Sequence, residues 1–176
     1  DQTLAILPLT PRCEPPKHSP EDLPPLLFEH STLFAQLDRE SWVVAPQKIA
    51  GSPFNAWHAR GASVLAYESL PEMFTQIAGL LNKDGPSRFI YAYYSDLDTV
   101  SHRFGTDSPQ ARAILAGLDM AFGEFTSAVQ GSDAWLITTA DHGFIDSPGE
   151  RVINLYDHPQ LAALLARPLC GERRVA

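Results

Sequence analysis

Two apolar runs, Arg88-Phe89-Ile90-Tyr91-Ala92-Tyr93-Tyr94 and Ala134-Trp135-Leu136-Ile137-Thr138-Thr139-Ala140, flank one long amphipathic stretch. Their continuous apolar and aromatic character predicts strands covered on both faces, since a half-solvated strand alternates instead. Between them Ser108-Pro109 opens a helix to about Val129. Its stripe is Ile114, Leu118, Ala121, Phe122, Phe125 and Val129, and Gly131 closes it. Strand, helix, strand with a crossover of this length predicts a parallel βαβ unit. The fold class expected is therefore α/β, a parallel sheet with helices on both faces.

The preceding residues supply further elements. Seven of the 15 prolines fall in residues 1–25. Proline fixes φ and removes a donor, so this part reads as a proline-rich, extended connector, with residues 26–176 forming the α/β domain. Leu4 to Leu9 looks like the tail of a strand, and a chain that opens on Asp1 reads as a piece of something larger. Apolar positions Leu26, Leu27, Leu33, Phe34 and Leu37 predict one helix over 26–40. Trp42–Ala45 and Ser63–Tyr67 are short strands, with a loop over 46–55 between them. Ser69 caps a helix that carries Met73, Phe74, Ile77, Leu80 and Leu81 and stops by Gly85-Pro86.

Composition narrows the function. With 13 Lys and Arg against 21 Asp and Glu, the net charge is −8. Such a chain lacks the basic surface that nucleic acid or an anionic membrane requires. No apolar run reaches the length of a membrane span, and residues 1–25 lack the layout of a signal peptide, so a cytoplasmic location is the expectation. Cys13 and Cys170 lie near opposite ends, which disfavours a disulfide framework or a thiolate zinc site. Any bound metal would be held by histidines and carboxylates.

Both apolar runs lead into that chemistry. Asp96-Leu97-Asp98-Thr99-Val100-Ser101-His102 follows the first, and Asp141-His142-Gly143 follows the second. In an open parallel sheet ligands bind beyond the carboxyl ends of the strands, so one crevice receives Asp98, His102, Asp141 and His142. Asp98 and His102 are four apart and share a helical face. Carboxylate plus imidazole suits Zn²⁺, Mn²⁺ or Fe²⁺, and paired sets suit two ions about 3.5–4 Å apart that clamp a phosphoryl displacement. The plainer alternatives are a hydrogen-bonded turn at Asp141-His142 and a capping role for Asp96 or Asp98. Asp96 is also a candidate to orient a ligand. Asn55, Trp57 and His58 read as packing residues before pocket residues, Asp146 and Glu150 as a solvated turn, and Tyr91, Tyr93 and Tyr94 as sheet residues.

The stretch Tyr94-Ser95-Asp96-Leu97-Asp98-Thr99-Val100-Ser101-His102-Arg103-Phe104-Gly105, followed by Thr138-Thr139-Ala140-Asp141-His142-Gly143, resembles the alkaline phosphatase superfamily, in its type I phosphodiesterase/nucleotide pyrophosphatase branch. The pair of segments is specific where either alone is weak. The resemblance covers roughly residues 30–176 and includes the Ile49-Ala50-Gly51-Ser52-Pro53-Phe54 loop. It implies an α/β sandwich that hydrolyses phosphodiesters or phosphoanhydrides in small phosphorylated substrates, with two divalent ions, zinc first and manganese second. By resemblance Asp98 and His102 match two ligands of one metal, and Asp141 and His142 two of the other.

The family pattern also includes an earlier Ser or Thr nucleophile with an accompanying Asp, and nothing in Asp1–Pro25 matches them; Thr3 and Thr10 stand in the wrong context. The nucleophile is therefore expected outside this chain, and the 176 residues alone are expected to be inactive. His158, in Tyr156-Asp157-His158-Pro159, is a candidate third ligand or the cap of a short helix. Three readings stay open: a metal-dependent phosphodiesterase or pyrophosphatase, a noncatalytic metal-binding fragment, and a mutase- or sulfatase-like relative.

Overall fold

The computed structural model describes residues 4–5, 9–11, 18–19, 22–147, 149–151 and 153–165. Cys13 and Cys170 lie outside them, as does most of the expected connector. Within that stretch β1 (Leu4–Ala5) pairs antiparallel with β2 (Thr10–Pro11).

The sheet that organises the domain has three strands, β3 (Glu40–Pro46), β4 (Ser63–Tyr67) and β5 (Arg88–Ala92), in the order β4-β3-β5 and all parallel. Val43 is in register with Val64 on one side and Tyr91 on the other. Alternation along β3 sends successive side chains to opposite faces. Val44 joins Tyr67, Met73, Ile77, Leu80 and Phe125 on one face, beneath α5 (Leu70–Leu81) and α7 (Pro109–Ala128). Val43 and Ala45 join Ala59 on the other, with Phe34, Ala50 and Ala62 against them. Helices thus cover both faces, as the α/β reading requires. Burying side chains of this size contributes roughly 1.5–3 kcal/mol each.

The capping signals are used as the sequence implies. Ser69 Oγ accepts from the Glu72 N–H, and Ser108 Oγ from the Ala111 N–H, with proline in the first turn of each helix. Arg88, at the start of β5, is nearly buried. It holds Glu40 of β3 at 2.6 Å and donates to the Lys83 and Asp84 carbonyls, tying the end of α5 to the sheet.

Four expectations are corrected. The single helix over 26–40 is instead α1 (Pro24–Leu27) and α2 (Leu33–Gln36). Phe28 turns extended after α1. Thr32 then restarts the helix, accepting from the Ala35 N–H while donating to the Arg60 carbonyl. Gly61, at φ +93, permits this contact, because a Cβ there would meet Ala35 N at 2.6 Å. The 46–55 loop contains α3 (Gln47–Ala50) and the start of α4 (Pro53–His58), the latter capped by Ser52. β5 is an outer strand of the described sheet, and Tyr91 is 47% exposed rather than covered on both faces.

The fourth correction is the largest. Residues 134–140 form no strand, and Trp135 is 96% and Ile137 82% exposed. An apolar run becomes a strand only where a neighbouring edge takes up its N–H and C=O groups. Among the described residues no ladder joins 134–140 to β5. The parallel sheet is built from β3, β4 and β5 instead.

Candidate functional site

β3 and β5 end side by side. The Tyr93 N–H donates to the Val44 carbonyl at 3.0 Å, extending the ladder one residue past β5. The chain then enters α6 (Asp96–Phe104), whose first turn carries Asp96 and Asp98, where the helix dipole favours negative charge. The Ser95 carbonyl accepts from both the N–H and the hydroxyl of Thr99, which fixes this turn.

One helical turn separates Asp98 from His102, and His102 Nε2 lies 3.3 Å from Asp98 Oδ1. His142 arrives from beyond α7, with Nε2 3.7 Å from the same Asp98 Oδ1 and 3.6 Å from Asp141 Oδ2. The His142 N–H also donates to Asp141 Oδ1. Its Nδ1 lies 3.1 Å from the Gly143 carbonyl. A carbonyl can only accept, so this contact places a proton on Nδ1 and turns the other nitrogen toward Asp98.

Three side chains that sequence reasoning passed over complete the surroundings. Phe144 meets His102 and His142 edge-on, with ring centroids 6.0 and 5.1 Å away and interplanar angles of 83° and 78°. Asp146 is exposed, as a solvated residue would be, yet it is also anchored: its Oδ1 accepts the Thr106 N–H at 2.9 Å, and that bond holds its carboxyl below the usual range. It thereby ties the 141–146 loop to the end of α6, where Gly105, at φ +88, lets the chain turn. Lys48 of α3 reaches across from β3, with Nζ 3.9 Å from Asp96 Oδ1. A contact to both predicted histidines, or a cation on the neighbouring strand's exit, has no signature in linear spacing.

The predicted residues are therefore partly brought together. Asp98, His102, Asp141 and His142 converge. Burial raises the Tyr91 and Tyr94 phenols, with smaller help from the charges of Asp141 and Asp96 respectively. Asp96 faces Lys48. His158 is exposed at the start of α8 (Pro159–Ala162), and its side chain makes no capping bond. The donor types suit Zn²⁺ or Mn²⁺. Among the described residues, however, no three His, Cys, Asp or Glu side chains are arranged to hold one ion.

The remaining candidates, Asn55, Trp57 and His58, make packing contacts, and Trp57 and His58 also line a cleft. Asn55 Nδ2 donates to the Ala50 carbonyl, and His58 stacks on Phe54 at 4.1 Å while its Nδ1 meets the Phe54 carbonyl. Arg60 covers the Trp57 ring. Two clefts of about 470 and 410 Å³ share Phe28, Glu29, His30, Ser31 and Trp57 in their linings, and neither is lined by the Asp98 cluster. No described helix is long and apolar enough to cross a membrane.

Comparison with known proteins places the chain in a family. Residues 9–168 match the family described as type I phosphodiesterase / nucleotide pyrophosphatase. A protein of Schizosaccharomyces pombe, named an uncharacterized pyrophosphatase/phosphodiesterase, is 31% identical over 101 residues. That match spans 53% of this chain and 21% of the yeast protein, so the chain corresponds to only part of its relative's length. No solved structure gives a significant match.

Proposed function

The chain belongs to the type I phosphodiesterase/nucleotide pyrophosphatase family, and from that membership we propose that it forms part of a metal-dependent hydrolase acting on phosphodiester or phosphoanhydride bonds of small phosphorylated substrates. Asp98 and His102 would hold one divalent ion, and Asp141 and His142 a second, with zinc the first choice and manganese the alternative. The observation that carries this reading is the meeting of two imidazoles, from segments on either side of α7, at one carboxylate oxygen of Asp98. A helix and a loop held together this way concentrate oxygen and nitrogen donors at the carboxyl-end edge of a parallel sheet.

Bound there, the ions would supply Lewis acidity toward a phosphoryl oxygen. The protein's own part is orientation. The Gly143 carbonyl sets the proton on His142, Phe144 walls both rings, and Asp146 anchors the loop that delivers them. The attacking Ser or Thr is assigned to a segment outside these residues, with the consequence that the 176-residue chain binds metal but turns over poorly alone.

The test is elemental analysis of the purified chain together with hydrolysis of an aryl phosphodiester, repeated on a protein extended at both ends. Metal bound by the chain, lost in Asp141→Ala/His142→Ala, and rapid hydrolysis only by the extended protein would support the proposal. An extended protein that binds no transition metal would defeat it. Ordinary turnover by the short chain would defeat the partial-site reading, and transfer of phosphate between hydroxyls would select the mutase alternative.

A further inference from the structure

The run Ala134-Trp135-Leu136-Ile137-Thr138-Thr139-Ala140 has the composition of a strand and no ladder to join. It carries no charge, proline or glycine, and its β-branched and aromatic residues suit a pleated surface. All seven residues are exposed, and among the described residues their main-chain groups have no strand partner. The run is attached at both ends, through Gly131 (φ +86) after α7 and through the Asp146 bond to Thr106, and stands clear between them. β5 offers the complement. It pairs with β3 on one side, so alternate N–H and C=O groups along its other side face outward. Sheets commonly guard such an edge with charge or proline. β5 contains no proline, and its one charged residue, Arg88, is turned to Glu40 and to the carbonyls after α5.

We propose that two copies of this chain associate about a twofold axis, residues 134–140 of each adding as an outer strand to the β5 edge of the other. Each copy has one such arm and one such edge, so a reciprocal exchange satisfies both and closes, whereas head-to-tail addition would leave one of each open. Charge favours these surfaces. At a net charge of −8 two copies repel each other over most of their surface, while the arm and the stretch Phe89–Ala92 carry none. The area is sufficient. Trp135 is 96% and Tyr91 47% exposed, and an aromatic side chain buries about 150–250 Å², so two copies of this pair supply about half of the roughly 1,200 Å² that a stable interface needs. Leu136, Ile137 and the paired backbones supply the rest. Association of this kind requires neither metal nor hydrolysis, and so stands apart from the hydrolase reading.

The experiment is light scattering on the 176-residue chain over a concentration series, with acrylamide quenching of Trp135 read on the same samples. A monomer–dimer equilibrium is expected, with a Kd on the order of micromolar. Trp135 stays open in the monomer and becomes protected in step with the dimer. Neighbouring residues of a strand donate to opposite sides, so one of Ile137→Pro and Thr138→Pro removes a ladder bond whichever register is used. That variant should raise the Kd about tenfold or more, since the bond is lost twice per dimer, whereas Thr138→Val, which keeps the donor, should stay within about threefold. Both positions lie outside every described helix and strand, so the unfolding midpoint of the monomer should not move. A constant monomer mass overturns the proposal, whether Trp135 stays open or becomes protected by closing on its own β5. So does growth beyond the dimer, a dimer in which Trp135 stays open, or a Kd that neither proline variant changes.

Discussion

His142 Nε2 lies 3.7 Å from Asp98 Oδ1, although the whole of α7 separates the two residues along the chain. His102 Nε2 approaches the same oxygen from one helical turn away. Asp98 is thus the group on which local and long-range structure converge. On the proposed ligand assignment, Asp98→Ala should remove the ion it would share with His102, whereas His102→Ala should weaken that ion's binding without abolishing it. Competition against a chromophoric chelator measures both; equal, small effects would remove Asp98 from its central role.

Phe144 touches both imidazoles, so its removal should disturb them together. In metal-free Phe144→Ala the ring protons of His102 and His142 should both move in the NMR spectrum as the aromatic ring current is lost, while Phe144→Tyr keeps them near their original positions. Movement of one histidine alone would contradict the shared contact.

Arg88 joins β3, β5 and the end of α5. Arg88→Met should lower stability by about 0.5–1.5 kcal/mol through loss of its hydrogen bonds to the exposed carbonyls of Lys83 and Asp84, read by denaturant unfolding. The pH dependence follows from Glu40, whose carboxyl the hydrogen bond from Arg88 holds below its ordinary value of 4.5. Because the folded value is the lower one, this contribution is complete above about pH 4.5 and is lost as the pH falls through the folded value. The fall in stability on acidification should therefore be shallower in Arg88→Met.

Tyr67 donates its hydroxyl to the Tyr93 carbonyl at 2.7 Å, just before the chain enters α6. Tyr67→Phe should cost about 1 kcal/mol, with the midpoint of denaturant unfolding shifting and its slope unchanged.

Trp135 provides a direct check on the corrected strand. At 96% exposure it should be quenched by acrylamide almost as readily as free tryptophan, and Trp135→Phe should change stability by less than about 0.5 kcal/mol. Strong protection from quenching would restore the ladder strand.

Local pattern alone determined much of this protein. The Ser69 and Ser108 caps, the apolar runs of β3, β4 and β5, and the four-residue spacing of Asp98 and His102 are all short-range, and each depends on hydrogen bonds or side-chain periodicity that neighbouring residues specify among themselves. The family signature is local too, being two short segments. Tertiary structure decided what depends on a partner. Residues 134–140 have the composition of a strand, but a strand exists only as half of a ladder, and β5 offers it none. The 26–40 stretch has helical spacing, but Thr32 and Glu40 are claimed by Arg60 and Arg88, and those long-range bonds outweigh a weak local preference. The cluster divides the same way. Asp98 and His102 are legible because one turn of helix joins them, whereas Phe144, Asp146 and Lys48 reach it across the fold, where only packing sets the distance.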